Sequence, residues 1–348
     1  MPYLAHFGLR EHPFTLTPNT NQYFPIDTHV EIIQSIQFGI TRNTGILKVV
    51  GDVGTGKTML CRLLLRKLVG SNDAVAYLNA PQCDPESLVG LVCGEFGLEA
   101  GTRTQMLQDL NTFLLEQHAI GRNAVLIIDE AQALGAEGLE TIRLLSNIET
   151  ERHKLLQIVM FGQSELDDLL SQPRLRQIIQ RIGFSFNTGP LTMDEAVHYM
   201  THRLKASRLD GIEFPIFDEK AVRLLAASAQ FVPRVINILA DKALLVAYGE
   251  GAIQVTEKHA AAAIDDSPHL ARPVRFNRST ARRVLVGVIA LEAAAVVALF
   301  VLSPTLQFWA KDTVGKAVSV ISGAPISGAP SGTPPQSSSD PAPSDPEP

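Results

Sequence analysis

Cysteine is scarce, with three residues in a chain of 348: Cys61, Cys83 and Cys93. An odd count at irregular spacing excludes a disulfide framework and fits no zinc-ligand pattern. The expectation is three reduced thiols buried in a core. Charge is thin as well. The chain carries 30 basic and 36 acidic residues, a net charge of −6, which argues against a nucleic-acid partner, because such proteins usually show a basic domain or stripe. The opening stretch MPYLAHFGLREHPF lacks a basic segment followed by an apolar run. No secretory signal is read there, and the bulk of the chain is expected in the cytoplasm. What is present in quantity is apolar residue, 45% of the chain, enough for a large buried core, in a length that allows two or three domains.

The apolar residues are ordered by period. Residues 1–28 are rich in Pro, Thr, Asn and aromatics and read as an irregular N-terminal arm. Val30, Ile33, Ile36, Gly39 and Ile40 then fall at helical spacing. GILKVVG, AVAYLN, AVLIIDE and LLQIVMFG are short apolar runs of strand length, with helical patterns between them at roughly 85–97, 103–120 and 136–150. Strands alternating with helices imply an α/β fold with a parallel sheet covered on both faces. Ile182–Phe186 would be its fifth strand. From Thr192 to Ile264 the period is helical throughout, with polar or acidic starts. The organisation expected is an arm (1–28), an α/β core (29–190), an all-helical domain (191–266), a basic linker (267–283) holding Arg272, Arg275, Arg278, Arg282 and Arg283, an apolar stretch (284–303) and a tail (304–348). The tail, rich in Pro, Ser, Gly and Ala, lacks the apolar content to fold alone and is expected to be disordered.

GDVGTGKT, Gly51 to Thr58, fits G-x-x-x-x-G-K-[ST] and lies between a predicted strand and a predicted helix, the context the motif requires. Such a loop turns backbone N–H groups toward phosphate oxygens. The phosphate cradle is therefore Gly51, Asp52, Val53, Gly54, Thr55, Gly56, Lys57 and Thr58, with Met59 following. Lys57 supplies a point charge for the β and γ phosphates, and Thr58 offers a hydroxyl to Mg²⁺. About 70 residues on, AVLIIDEAQ ends a buried strand in Asp129, placed to hold Mg²⁺ directly or through water. Glu130 follows, placed to orient and deprotonate an attacking water. Gln163, just past the next strand, shares the crevice at the carboxyl ends of the strands and can sense the γ-phosphate or the water. Arg174, Arg176, Arg181 and Arg234 are candidates to stabilise charge on the transferred phosphoryl group, from the same subunit or a neighbouring one.

The P-loop, the Asp-Glu pair, a polar residue after the next strand and a helical domain carrying Pro-Arg together resemble the AAA+ ATPases. That family's fold is a five-stranded parallel sheet followed by a helical lid. Within it, HFGLREHPFTLTPNTNQYF, IIDEAQAL, IRLLSNIETERHKLLQIVMFGQSELDDLL, QPRLRQIIQRI and PRVINILADKALLVAYGEG resemble the secretion ATPases of the GspA/ExeA type, and most closely the MSHA pilus biogenesis (MshM) type, over residues 3–266. The resemblance implies ATP and Mg²⁺ as ligands and ATP hydrolysis as the activity. It implies a homo-oligomer, and pilus or secretion machinery of the inner membrane and periplasm as partners. It places Gln163 at the sensor-1 position and Arg234 at the sensor-2 position. It makes Arg181 the foremost trans-acting finger, with Arg174 and Arg176 as alternatives. Phe231 stands where the Gly-x-Pro-Arg motif has glycine, which puts the local turn in question.

Val284–Leu302 is long enough to cross roughly 30 Å of hydrocarbon. The arginines precede it and only Lys311 and Lys316 follow. The positive-inside rule then puts the ATPase in the cytoplasm and the tail in the periplasm, with Phe308 and Trp309 at the far interface. Glu292 within the span is read either as a helix-association contact or as a partner or proton-linked site. GspA and ExeA carry a periplasmic peptidoglycan-binding domain, and this tail is too short and too polar for one. Three functions are carried forward: an ATP-hydrolysing assembly factor of a type IV-like (MSHA) pilus or type II secretion apparatus, a non-hydrolysing nucleotide switch that scaffolds membrane partners, and a DNA-handling ATPase.

Overall fold

The computed structural model describes residues 3–270 apart from Pro18, Cys83, Ile212 and Glu213. The linker from residue 271, the stretch 284–303 with Glu292, and the tail 304–348 lie outside the described residues. Among the described residues no helix is long and apolar enough to cross a membrane. Cys61 and Cys93 are free and buried.

In chain order the elements begin with α1 (Tyr3–His6), α2 (Asp27–Thr41), β1 (Ile46–Gly51), α3 (Lys57–Gly70), β2 (Ala74–Asn79), α4 (Pro85–Glu95), α5 (Arg103–Ala119), β3 (Ala124–Asp129) and α6 (Gly135–Leu145). They continue with β4 (Leu156–Gly162), α7 (Ser164–Leu170), α8 (Arg176–Ile179), β5 (Ile182–Thr188), α9 (Met193–Ala206), α10 (Glu219–Ser228), α11 (Pro233–Gly249) and α12 (Glu257–Asp265). The five strands form one parallel sheet in the order β2-β3-β4-β1-β5. The expected five-stranded parallel α/β sheet is therefore present.

Each strand's period of two divides the core into layers. Val125 and Ile127 of β3 face α2 and α3, in a cluster with Ile36, Leu60 and Leu64. Leu126 and Ile128 face the other way, with Leu88 of α4, Leu110 of α5 and Leu139 of α6. β3 and β4 are buried at every position, as central parallel strands are. β5 alternates, because it is an edge strand. Capping residues set the helix starts. Asp84 accepts from the backbone N–H of Glu86 and Ser87, both at 3.0 Å. Thr192 and Glu195 form a capping box at α9, and Asp218 caps α10, satisfying amides that would otherwise lack partners.

The helical part has its own core, and that core is built partly from the N-terminus. Tyr3, Phe7, Leu9 and Phe14 are buried with Met200, Leu225, Leu239 and Ala243. Tyr3 is fully buried, and its hydroxyl donates to Asp241 Oδ1 at 2.5 Å. The arm is thus irregular over most of its length yet bound into the packing of α9 to α12. The aromatics that gave residues 1–28 their composition are what bind it there, since such rings contribute large buried area. The described residues form one compact unit.

Candidate active site

The loop between β1 and α3 leaves the sheet at Gly51 and enters the helix at Lys57. Gly54 and Gly56 have φ of 86° and 102°, a region that side chains disfavour. Space forbids a side chain too. A Cβ on Gly54 would stand 2.6 Å from Arg234 Cβ, and one on Gly56 would stand 2.8 Å from His29 Cε1. Thr55 Oγ1 donates to the Asp52 carbonyl at 2.8 Å and pairs at 2.8 Å with Thr188 Oγ1, from the end of β5. Lys57 is 5% exposed, and its ammonium donates to the carbonyls of Gly51 and Asp52 at 2.7 and 2.8 Å. Burial lowers its pKa, while the carboxylates of Glu130, Asp129, Asp52 and Glu165 act in the opposite sense. The loop therefore holds a buried cation at a helix N-terminus, an arrangement suited to phosphate.

Asp129, 1% exposed, ends β3 beside this loop. Burial raises its pKa, against the Glu130 backbone N–H at 3.0 Å and the Thr58 hydroxyl, which both hydrogen-bond it. A buried carboxylate and a hydroxyl form an all-oxygen donor pair that fits Mg²⁺, which binds through one or two protein oxygens together with substrate phosphates. Among the described residues no group of three or more His, Cys, Asp or Glu could hold a metal, so a cation here would take its remaining ligands from water and substrate phosphates. Glu130 has φ of 53°, an uncommon conformation for a side-chain residue that turns it away from the strand axis. Its Oε2 accepts from Gln163 Nε2 at 2.8 Å and from Gln132 Nε2 at 2.5 Å. Gln132 Oε1 in turn accepts from the Gln163 backbone N–H at 3.1 Å.

One pocket gathers these groups. Val53, Gly54, Gly56, Lys57, Thr58, Met59, Glu130, Gln163 and Arg234 line it. Arg234 opens α11, and its backbone N–H reaches the Gly54 carbonyl at 3.4 Å. The turn before it forms without glycine: Gln230 and Phe231 take φ of 51° and 60°. Phe231 packs against the helical core, and its carbonyl accepts from Leu191 N–H at 3.0 Å. These contacts offset a backbone cost of about 1–3 kcal/mol per residue. Arg181 lies elsewhere. It precedes β5, whose Ile182 pairs with Ile46 at the start of β1, and it lines a separate cavity with Thr44, Gly45 and Lys154. A six-residue strand, roughly 20 Å long, separates it from its own P-loop. Arg174 is on a third surface, with Glu137 and Glu140.

Residues 40–170 match the family described as AAA domain. Over these residues the chain is similar to that family. It is also 36% identical over 258 residues to general secretion pathway protein A of Aeromonas hydrophila, covering 73% of this chain and 46% of that protein. The chain thus spans less than half the length of this curated relative. Among solved structures it resembles Drosophila ORC bound to DNA, with a TM-score of 0.57, 20% identity and coverage of 73% of this chain and 64% of that one. It also resembles the Aeropyrum pernix ORC2 protein in its ADPNP-ADP complexes, with a TM-score of 0.51, 16% identity and coverage of 68% and 66%. At these identities the two structures show the fold alone.

Residues 40–170 do not enclose the pocket by themselves. Thr15, Leu16, Thr17, Gln22, Tyr23, Phe24 and Ile26 line it from the N-terminal arm, and Tyr199, Arg203 and Asn237 from α9 and α11. Arg203, 3% exposed, donates through Nε to the Pro13 carbonyl at 2.6 Å and through Nη2 to Thr15 Oγ1 at 3.1 Å. Tyr199 donates to Asn237 Oδ1 at 2.8 Å, and Asn237 Nδ2 donates to the Thr15 carbonyl at 3.3 Å. His29, Gln132, Thr188, Arg203 and Asn237 were not singled out in the sequence. Gln132 lies within IIDEAQAL and Asn237 within PRVINILADKALLVAYGEG, two stretches able to flag them.

Proposed function

We propose that this chain binds ATP with Mg²⁺ in the pocket and hydrolyses it at the interface between subunits of a homo-oligomer. Lys57, the loop amides and the α3 N-terminus hold the triphosphate. Thr58 and Asp129 hold Mg²⁺, which when bound neutralises charge on the β and γ phosphates. Glu130 accepts the proton of the attacking water, Gln163 positions that water or the γ-phosphate, and Arg234 contacts the phosphates from the helical side. Arg181 acts on a neighbouring subunit's nucleotide, with Arg174 and Arg176 as alternatives. The observation that carries this reading is the convergence of Lys57, Thr58, Glu130, Gln163 and Arg234 on one pocket, in a chain related over 258 residues to general secretion pathway protein A.

The turnover serves assembly of a type II secretion apparatus or a type IV-like pilus of the MSHA kind, at the cytoplasmic membrane. Residues 284–303 anchor the ATPase there, the tail 304–348 lies in the periplasm, and the partners belong to the inner-membrane and periplasmic machinery. Two experiments test this. Arg181→Ala and Glu130→Gln subunits, each inactive alone, regain phosphate release on mixing if the arginine acts across subunits; no recovery refutes that placement. The full chain stays in the membrane pellet after carbonate extraction; release into the supernatant refutes the anchor.

One observation favours a second reading. Two amides engage one oxygen of the Glu130 carboxylate, Oε2, which weakens that oxygen as a base, as suits a nucleotide switch with slow turnover. The rate of phosphate release, with and without membranes, decides between the two.

A further inference from the structure

The end of the sheet remote from the P-loop carries a cavity with two cations. Lys154 stands just before β4 and Arg181 just before β5. Both strands flank β1, with Ile158 and Ile182 beside Ile46. Lys154 and Arg181 line the cavity together with Thr44, Ser146 and Gln180. Gly45 lies between them: a Cβ there would stand 3.8 Å from Lys154 Cγ and 4.0 Å from the Arg181 carbonyl oxygen.

The backbone that presents Lys154 is fixed. Glu149 and Lys154 form an antiparallel bridge. Between them the Thr150 N–H donates to the His153 carbonyl at 2.9 Å, and Thr150 Oγ1 accepts from the His153 N–H at 3.1 Å. Gln157, 1% exposed, holds the base of this turn. Its Oε1 accepts from the Gly45 N–H and its Nε2 donates to the Lys154 carbonyl, both at 2.9 Å. A buried amide committed to two backbone groups sets Lys154 against Gly45, and so against Arg181.

The charges in this cavity are unbalanced. The Lys154 ammonium pairs with the Glu149 carboxylate, while among the described residues no carboxylate pairs with Arg181. The cavity lining contains two cations and no acid. Burial lowers the Lys154 pKa, and the Arg181 guanidinium adds to that. Like charges held together repel, and a multiply charged anion between them removes the repulsion. The chain's own P-loop lies a strand length away, roughly 20 Å, so a second copy must bring that anion.

We propose that Lys154 acts beside Arg181 as a second trans-acting cation: in the homo-oligomer its ammonium leaves Glu149 and hydrogen-bonds the γ-phosphate held by the adjacent copy. The inference rests on the placement of Arg181 across subunits proposed above. The two side chains differ in kind. Arg181 offers a planar fork for two oxygens, and Lys154 a compact charge on a flexible stem. Both offset charge developing on the transferred group, and no bond to either forms or breaks.

The test is phosphate release by full-chain subunits, alone and mixed. Lys154→Met lowers release about a hundredfold and leaves ATP affinity unchanged, because the variant's own P-loop is intact. Mixing it with Glu130→Gln subunits, which lack the base but keep Lys154, restores release. If that mixture stays inactive while Arg181→Ala with Glu130→Gln recovers, the lysine proposal alone is overturned. If neither mixture recovers, the trans placement of Arg181 falls with it. Glu149→Gln separates charge from structure, since it breaks the same ion pair and keeps the ammonium. Release at the parent's level supports the proposal. A loss of release in Glu149→Gln assigns the ion pair a structural role and overturns it, even if Lys154→Met fails to fold.

Discussion

The nucleotide pocket has two walls of different construction. The first is contiguous: β1, the P-loop and α3 run from Ile46 to Gly70, and the acids at the end of β3 join them through the sheet. The second is assembled from residues far apart in the chain. Gln22 meets Ser207 across 185 residues, Arg203 meets Pro13 across 190, and Tyr3 meets Asp241 across 238. The first wall carries groups able to do chemistry on phosphate. The second carries fixed, mostly committed hydrogen bonds that hold the arm to the helices. A local motif can build the reactive wall because backbone geometry does the work. The enclosing wall needs tertiary packing.

Gly54→Val strikes where the walls meet. It adds a side chain at positive φ and at 2.6 Å from Arg234 Cβ. ATP affinity measured by titration calorimetry should fall by at least about a hundredfold. Unchanged affinity would mean that Arg234 does not close on the loop.

Arg203→Met breaks the second wall alone. It removes the donors to Pro13 and Thr15 from a side chain that is 3% exposed. The loss should be about 2–3 kcal/mol in urea unfolding, with early proteolysis near residues 13–15. A stable variant with a protected arm would show that aromatic packing suffices without the arginine.

Gln132→Leu tests the first wall's inner support. Glu130 and the Gln163 backbone both lose a partner. Turnover should fall about tenfold with ATP affinity unchanged, as for a catalytic group held less well in place. A fall in affinity instead would put Gln132 in nucleotide binding.

The smallest effect has the opposite sign. Folding raises the Asp129 pKa through burial, so its contribution to stability is present below the unfolded-state value and is lost as pH rises through the raised one. At neutral pH the ionised carboxylate therefore works against the fold. Asp129→Asn should melt slightly higher without nucleotide, while losing Mg²⁺-dependent turnover. A lower melting temperature would contradict this.

The same division explains what could be read in the sequence. The apolar runs at β1, β3 and β4 and the G-x-x-x-x-G-K-[ST] loop carry local signals, and the parallel sheet follows from their alternation with helices. Helix ends came out shorter than their periodicity suggested. The pattern at 136–150 stops at Leu145, since Ser146 to Thr150 turn into the loop before β4. The arm reads as irregular because its signal is compositional, whereas its role depends on contacts with α9 and α11. His29 was one residue of a helix start, and only packing shows it beneath Gly56. Arg181 was legible as an arginine before a strand, but its position at the far end of the sheet comes from the β1–β5 register.

The central claim is that the P-loop wall turns over ATP with Glu130 as the base. The direct measurement is phosphate release and ATP binding on the same preparations of the full chain, parent against Glu130→Gln. The variant is expected to bind ATP as the parent does and to lose turnover by about a hundredfold or more. Equal turnover by the two proteins would contradict it.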